Sequence, residues 1–257
     1  MQRFLYCTIL ITLSIFVTAN TYAQKAPRFR ALVLTERGGF HEDYVVAGLA
    51  WLKQLAADSN FVFDVYNNTD PINDAFLARY QVFIQLNYPP YMWTDQAKQA
   101  FVTYMEQGRG GGWVGFHHAS LLGEFDGYSM WPWFSNFMGG IRFKNYIAEL
   151  VSGTVNVEDK KHPCMRGLPA SFRVDHEEWY TYDKNPRGGV HVLASVDESS
   201  YVPPSAIKMG DHPVVWTQDR MKARNIYIQM GHHPEHFRNG SYERLVRNAI
   251  FWAAGEK

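Results

Sequence analysis

The chain has 257 residues, and its 25 Lys and Arg are matched by 25 Asp and Glu, so the net charge is zero. With no basic stripe anywhere, that balance speaks against a nucleic-acid partner. The length suits one domain able to bury a sizeable core.

The start of the chain reads as a leader. Arg3 is followed by an apolar run from Phe4 to Val17 and by Thr18-Ala19-Asn20-Thr21-Tyr22-Ala23. This is the layout of a secretory signal peptide, residues 1–23, cut after Ala23. The run falls short of the ~20 residues a bilayer span needs, so no stable membrane insertion is expected after cleavage. Cys7 lies inside the run and not at its end, which argues against a lipid-attachment site. The mature chain, 24–257, is then one exported, periplasmic domain. Losing Arg3 leaves 24 basic residues against 25 acidic ones. It keeps one cysteine, Cys164, so no intrachain disulfide can form. A homo-oligomer is compatible with all of this. Aromatics make up 16% of the residues; core packing accounts for most of them, and some could stack on sugar rings.

Phe29–Thr35 reads as a buried strand, and Glu42–Ser59 as a helix with Val45, Val46, Leu49, Leu52 and Leu55 at helical spacing. Phe61–Tyr66 alternates as a strand. Asp74–Arg79 reads as a short helix opened by Pro71. Tyr80–Leu86 is a strand, and Thr94 N-caps a helix that ends near Gly108. Gly112–Phe116 is the next strand. This β-α-β-α-β-α-β order argues for a parallel, doubly wound sheet with helices on both faces, whose ligands bind beyond the carboxyl ends of the strands. The second half adds strands at Ile147–Val157, Val190–Val196, Pro213–Thr217 and Arg224–Met230, then a helix over Tyr242–Ala253.

Histidines fall just after these strands. His41 follows the first, His117 and His118 the Gly112–Phe116 strand, and His232, His233 and His236 the Arg224–Met230 strand. Gly115-Phe116-His117-His118-Ala119 has the layout of a nucleophile elbow. Its central residue is histidine, which suits acid/base work or metal ligation and not acyl transfer. Ser120 is near but off the elbow. Gly231-His232-His233-Pro234-Glu235-His236 is a second cluster. Imidazole and carboxylate suit a divalent metal such as Zn, although the spacing matches no standard zinc signature. Asp175-His176-Glu177-Glu178-Trp179-Tyr180 is either a solvated acidic loop or a sugar-facing segment. The glycine run 108–112 follows a helix and precedes a strand, so it reads as a helix stop and not as a dinucleotide fingerprint. His162-Pro163 and Asp211-His212-Pro213 read as turn residues that could still support the site.

The same residues carry a resemblance. Gly-Phe-His at 39–41, Gly-Phe-His-His at 115–118, Asp-x-x-His-Pro at 159–163 and Glu-Glu-Trp-Tyr at 177–180 resemble the trehalose-utilisation (ThuA-like) family. So do His-Val-Leu-Ala-Ser-Val-Asp-Glu-Ser at 191–199, Asp-His-Pro-Val-Val-Trp at 211–216 and Gly-His-His at 231–233. The resemblance implies a flavodoxin-like, class I glutamine amidotransferase-like fold with a mostly parallel sheet. His233-Pro234-Glu235 is similar to the His-Pro-Glu of those enzymes. His117 stands where they need cysteine, so amidotransferase activity is not expected. The resemblance further implies a role in trehalose, disaccharide or 3-keto-sugar utilisation. One departure stands out: many relatives carry His-Pro soon after Gly-Gly-x-x-Phe, where this chain has Lys144-Asn145-Tyr146.

Two readings follow. In the first the protein is an enzyme acting on a sugar or keto-sugar, of isomerase, hydrolase or lyase type. His117, His118 and Glu178 are its catalytic residues, and His41, Trp179, Tyr180 and His233 its substrate contacts. His41, His117 and His232 are candidate ligands for a divalent metal. Enolisation beside a ketone fits this inventory better than hydrolysis by paired acids, because the adjacent side chains Glu177 and Glu178 diverge. In the second it is a non-catalytic carbohydrate-binding or scaffold protein. A serine hydrolase using Ser120 is a third, weaker alternative.

Overall fold

Strand β1 (Arg30–Thr35) shows why the molecule has a core on each side of its sheet. Successive side chains of a strand point to opposite faces. Ala31 and Val33 enter one apolar cluster and Leu32 and Leu34 the other. The computed structural model describes residues 25–36, 38–108 and 110–256. The expected leader, 1–23, and Arg109 of the glycine run lie outside them.

Helix α1 (Glu42–Ser59) has the expected bounds. It buries Tyr44, Val45, Gly48, Leu52 and Ala56, while Val46 faces solvent at 60% exposure. Then follow β2 (Val62–Tyr66), α2 (Asp74–Leu77) and β3 (Val82–Leu86). The side chain of Asn73, not Pro71, caps α2 by accepting the Phe76 N–H at 2.9 Å. Helix α3 (Asp95–Gln107) opens on Thr94, which accepts the Ala97 N–H, and stops at left-handed Gly108. Strand β4 (Gly112–Phe116) and a short helix α4 (Pro132–Phe137) come next.

Beyond α4 lie β5 (Phe143–Tyr146), β6 (Val151–Val157), β7 (Ser171–Glu177), β8 (Tyr180–Tyr182), β9 (His191–Val202), β10 (Pro213–Thr217), β11 (Asn225–Ile228) and α5 (Gly240–Ala253). The strand expected over Ile147–Val157 begins only at Val151. Leu150 sits at φ 50°, a left-handed turn that no strand tolerates. The nine-stranded sheet has the order β2-β1-β3-β4-β11-β10-β9-β6-β7, and β5 pairs with β8 apart from it. Strands β2, β1, β3, β4 and β11 are parallel, and the rest are antiparallel. The sheet is therefore mixed, with the flavodoxin-like parallel arrangement as its core. α1 and α5 cover one face, and α2, α3 and α4 the other. Among the described residues no helix is long and apolar enough to cross a membrane.

Candidate functional site

The carboxyl ends of β1, β3, β4 and β11 line one edge of the parallel core, and the loops after β1, β4 and β11 converge there. The segment from the end of β7 to β8 folds back over the same point. His117 is the elbow residue, at φ 39°, and is fully buried. Gly231 opposite has to be glycine: a Cβ there would lie 2.6 Å from the His117 Cβ.

Four side chains converge. The Glu178 Oε2 lies 3.2 Å from His117 Nε2, 3.5 Å from His232 Nδ1 and 3.7 Å from His41 Nε2. Ligand atoms of all four residues fall within 4.8 Å of one another. His117 Nδ1 faces the Gln229 carbonyl at 3.0 Å, so that nitrogen carries the proton. In a neutral ring Nε2 then points a lone pair at the Glu178 carboxylate, an acceptor facing an acceptor. Four buried polar atoms here have no hydrogen-bond partner: Glu36 Oε2, His41 Nε2, His118 Nδ1 and His232 Nδ1. Orphans so concentrated need a cause, because each costs free energy when buried. A cation within the quartet supplies one for His41 Nε2 and His232 Nδ1, whereas Glu36 Oε2 and His118 Nδ1 face each other beside it. The N···O separations bracket the edge of roughly 3.3 Å expected for a tetrahedron with metal–ligand bonds of about 2.0–2.1 Å. Three imidazoles and a carboxylate suit Zn or Mn.

The surroundings fix this quartet. Glu177 is fully buried and accepts from Gly231 N–H at 3.0 Å and from Glu178 N–H at 2.9 Å. His236 Nε2 lies 2.5 Å from it. The adjacent acids therefore do diverge: Glu177 braces the loop and Glu178 enters the quartet. Asn87 Nδ2 donates to the Gly231 carbonyl at 2.7 Å. Burial lowers His41 to about 3, against the pull of Glu178. Burial opposes ionisation of Glu178, but His117, His232 and His41 overcome it and hold the carboxyl far below its usual range. For His232, burial is outweighed by Glu178 and Glu177, and its pKa rises.

His118 stands beside the quartet, its Nδ1 2.9 Å from Glu36 Oε2 at an angle that forms no hydrogen bond. Burial lowers its pKa, against the opposing effect of Glu36. Glu36, absent from the expected site, belongs to it. The Tyr180 ring lies 4.2 Å from that of His117. From Tyr180 a run of rings leads outward through Phe143, Phe125 and Tyr91 to Tyr128, which is half exposed.

Three expectations need correction. Trp179 does not face the site. It lies between Glu178 and Tyr180, so it points the other way, fully buried, with its indole N–H donating to the Val151 carbonyl at 2.9 Å. His233 stands outside the quartet and caps the following turn by accepting the Glu235 N–H. It neighbours His176 instead. Ser120 is no nucleophile: its Oγ is fully buried among the Tyr182 and Tyr227 hydroxyls and donates to the His117 carbonyl. His212 gives support from a distance, its Nε2 2.8 Å from the Tyr180 carbonyl, whereas His162 packs on Trp252, away from the site.

The family described as trehalose utilisation matches residues 30–253. The crystal structure of a protein described as ThuA-like from Bacteroides uniformis is 33% identical to this chain. It has a TM-score of 0.79 and covers 91% of this chain and 95% of its own. A second such protein, from Parabacteroides merdae, shares 22% identity with a TM-score of 0.61, over 90% of this chain and 91% of its own. The glutaminase domain of Trypanosoma brucei CTPS shares the fold at 11% identity and a TM-score of 0.50, over 88% and 94% of the two chains. No match is found among curated proteins.

Proposed function

Because the chain belongs to the trehalose-utilisation (ThuA-like) family, we propose that it is an exported, periplasmic enzyme performing metal-assisted acid/base chemistry on a disaccharide or its 3-keto form. The observation that carries this reading is the convergence of His117, His232 and His41 on the Glu178 carboxylate, with His41 Nε2 and His232 Nδ1 buried and without a hydrogen-bond partner. His41, His117, His232 and Glu178 would hold the ion. When bound, such an ion acts as a Lewis acid toward a sugar carbonyl.

The remaining residues then take separable roles. His117 is locked between Gln229 and Glu178 and positions the quartet. His118, less enclosed and kept neutral by burial, is the base. It removes a proton from the carbon beside the carbonyl, and the C–H electron pair moves to form the enolate with charge on the carbonyl oxygen. Glu36 stabilises the imidazolium so formed. The ring run from Phe143 through Phe125 to half-exposed Tyr128 offers apolar faces to a sugar, with buried Tyr180 packed behind it against His117. The expected partner is a small molecule, with neither nucleic acid nor membrane involved.

The test is elemental analysis of the purified mature chain beside a His41/His117/His232 triple alanine variant. A stoichiometric divalent ion that vanishes in the variant is expected. His118→Ala should keep the ion and lose turnover of 3-keto disaccharides. Absence of the ion from the natural chain, even after dialysis against Zn or Mn, would remove the metal-assisted reading. Sugar binding without turnover would favour a non-catalytic carbohydrate binder, the rival that the aromatic run also suits.

A further inference from the structure

At the opposite edge of the sheet a cavity of about 740 Å³ is lined by five arginines: Arg28, Arg166, Arg224, Arg244 and Arg247. Arg28 precedes β1 and Arg224 precedes β11, so the cavity lies at the amino ends of the parallel strands. Its one acidic lining residue is Glu256, which is paired with Arg28.

Elsewhere five of the seven described arginines pair with carboxylates, while Arg79 reaches the Phe76 carbonyl and Arg220 the Gln218 side chain. Arg30 pairs with Asp64, Arg142 with Glu124, Arg173 with Asp175 and Arg238 with Glu235, while Arg187 bridges Glu158 and Asp211. Among the described residues Arg166, Arg224, Arg244 and Arg247 meet no carboxylate. Gathering like charges is unfavourable, and a chain of zero net charge has acids available to disperse them.

The charges are also held in place. Arg247 and Arg28 lie over the Phe251 ring at 4.8 and 5.0 Å, and Arg224 over Trp252 at 5.8 Å. Arg224 also donates to the Trp252 carbonyl. Asn248 donates to the carbonyls of Cys164 and Arg166, fixing the Arg166 turn against α5. Stacking and clamping of this kind reduce the ordering cost of ligand capture.

We propose that this cavity is a second ligand site, for a small polyanion carrying two or more phosphate or sulfate groups. Guanidinium forks match tetrahedral oxyanions bidentately. The concave shape and volume suit a ligand of disaccharide size and not an extended polymer.

The test is calorimetric titration of the mature chain with inorganic pyrophosphate and, separately, sucrose octasulfate. Saturable binding of either is expected; pyrophosphate alone would assign the site to phosphate esters, and the octasulfate alone to sulfate esters. Arg244→Ala/Arg247→Ala should weaken it by about tenfold or more, and His117→Ala should leave it unchanged. Arg166→Ala, on a separate turn, should act in the same direction if the double variant folds poorly. No saturable binding below about 10 mM would overturn the proposal. So would binding that survives the arginine substitutions, or tighter binding of anionic vesicles or DNA than of either small anion.

Discussion

Replacing Glu198 by glutamine tests how the antiparallel half of the sheet holds the site. Glu198 is buried, and its Oε1 accepts the Met209 N–H at 2.5 Å while Oε2 accepts the Gly210 N–H at 2.9 Å. His212 Nδ1 lies 2.9 Å from Oε1, and its other nitrogen reaches the Tyr180 carbonyl. Glutamine is isosteric but has only one acceptor oxygen. If that oxygen serves Met209 and His212, the amide NH₂ points at the Gly210 N–H, donor against donor. One charge-assisted bond is lost and two are weakened, at about 1.5–3 kcal/mol for a bond to a charged group. A loss of about 3 kcal/mol follows, which for a domain of this size lowers Tm by roughly 6–12 °C.

The pH dependence has a fixed sign. Burial works to raise the Glu198 carboxyl, but His212 and the two amides outweigh it and hold it below the usual carboxylate range. A depressed carboxylate contributes stability that is fully present above its unfolded pKa of about 4.3 and is lost as the pH falls through the folded value. The gap between natural chain and variant in thermal unfolding should therefore be constant near neutrality and shrink in acid. Equal Tm values at neutral pH, or a gap unchanged well below the unfolded pKa, would refute the argument.

Other consequences are as direct. Gly231→Ala places a methyl 2.6 Å from the His117 Cβ; it should cost about 1–3 kcal/mol in urea unfolding and lower the bound-ion stoichiometry. Phe101 is fully buried among the rings of Phe83, Trp93, Tyr104, Trp113, Trp131, Trp133, Phe134 and Phe137. Phe101→Ala should cost about 3–5 kcal/mol, seen as a lower urea midpoint with metal stoichiometry intact below the transition. Cys164 is fully buried and burial pushes its thiol pKa up, so thiol reagents should label it only after unfolding.

The parallel core was legible because long segments repeat their pattern: α1 keeps one apolar face for five turns and α3 carries its own cap and stop. Strand β7 was hidden by its charges. Phe172 and Val174 alternate inward against exposed Arg173 and Asp175, but the ionisable run 175–178 masks the alternation. The same period of two would have turned Trp179 away from its neighbours Glu178 and Tyr180. Histidines after strands marked the site, since imidazole is uncommon enough to stand out. Glu36 gave no such mark, for a single acid after a strand is ordinary until the fold places it beside His118.

The site's composition bears on how the chain is held together. Its histidines come from loops after β1, β4 and β11, and Glu178 arrives from the antiparallel half. An ion at this quartet would bind segments spread from residue 41 to residue 232 into one knot. Disulfides commonly perform that duty in exported chains, whereas among the described residues Cys164 stands as a lone free cysteine. Capture of the ion would close long loops of the unfolded chain and bind mainly the folded form. Chelation should then lower resistance to unfolding and proteolysis, so that the protein's persistence would follow the metal supply of its compartment.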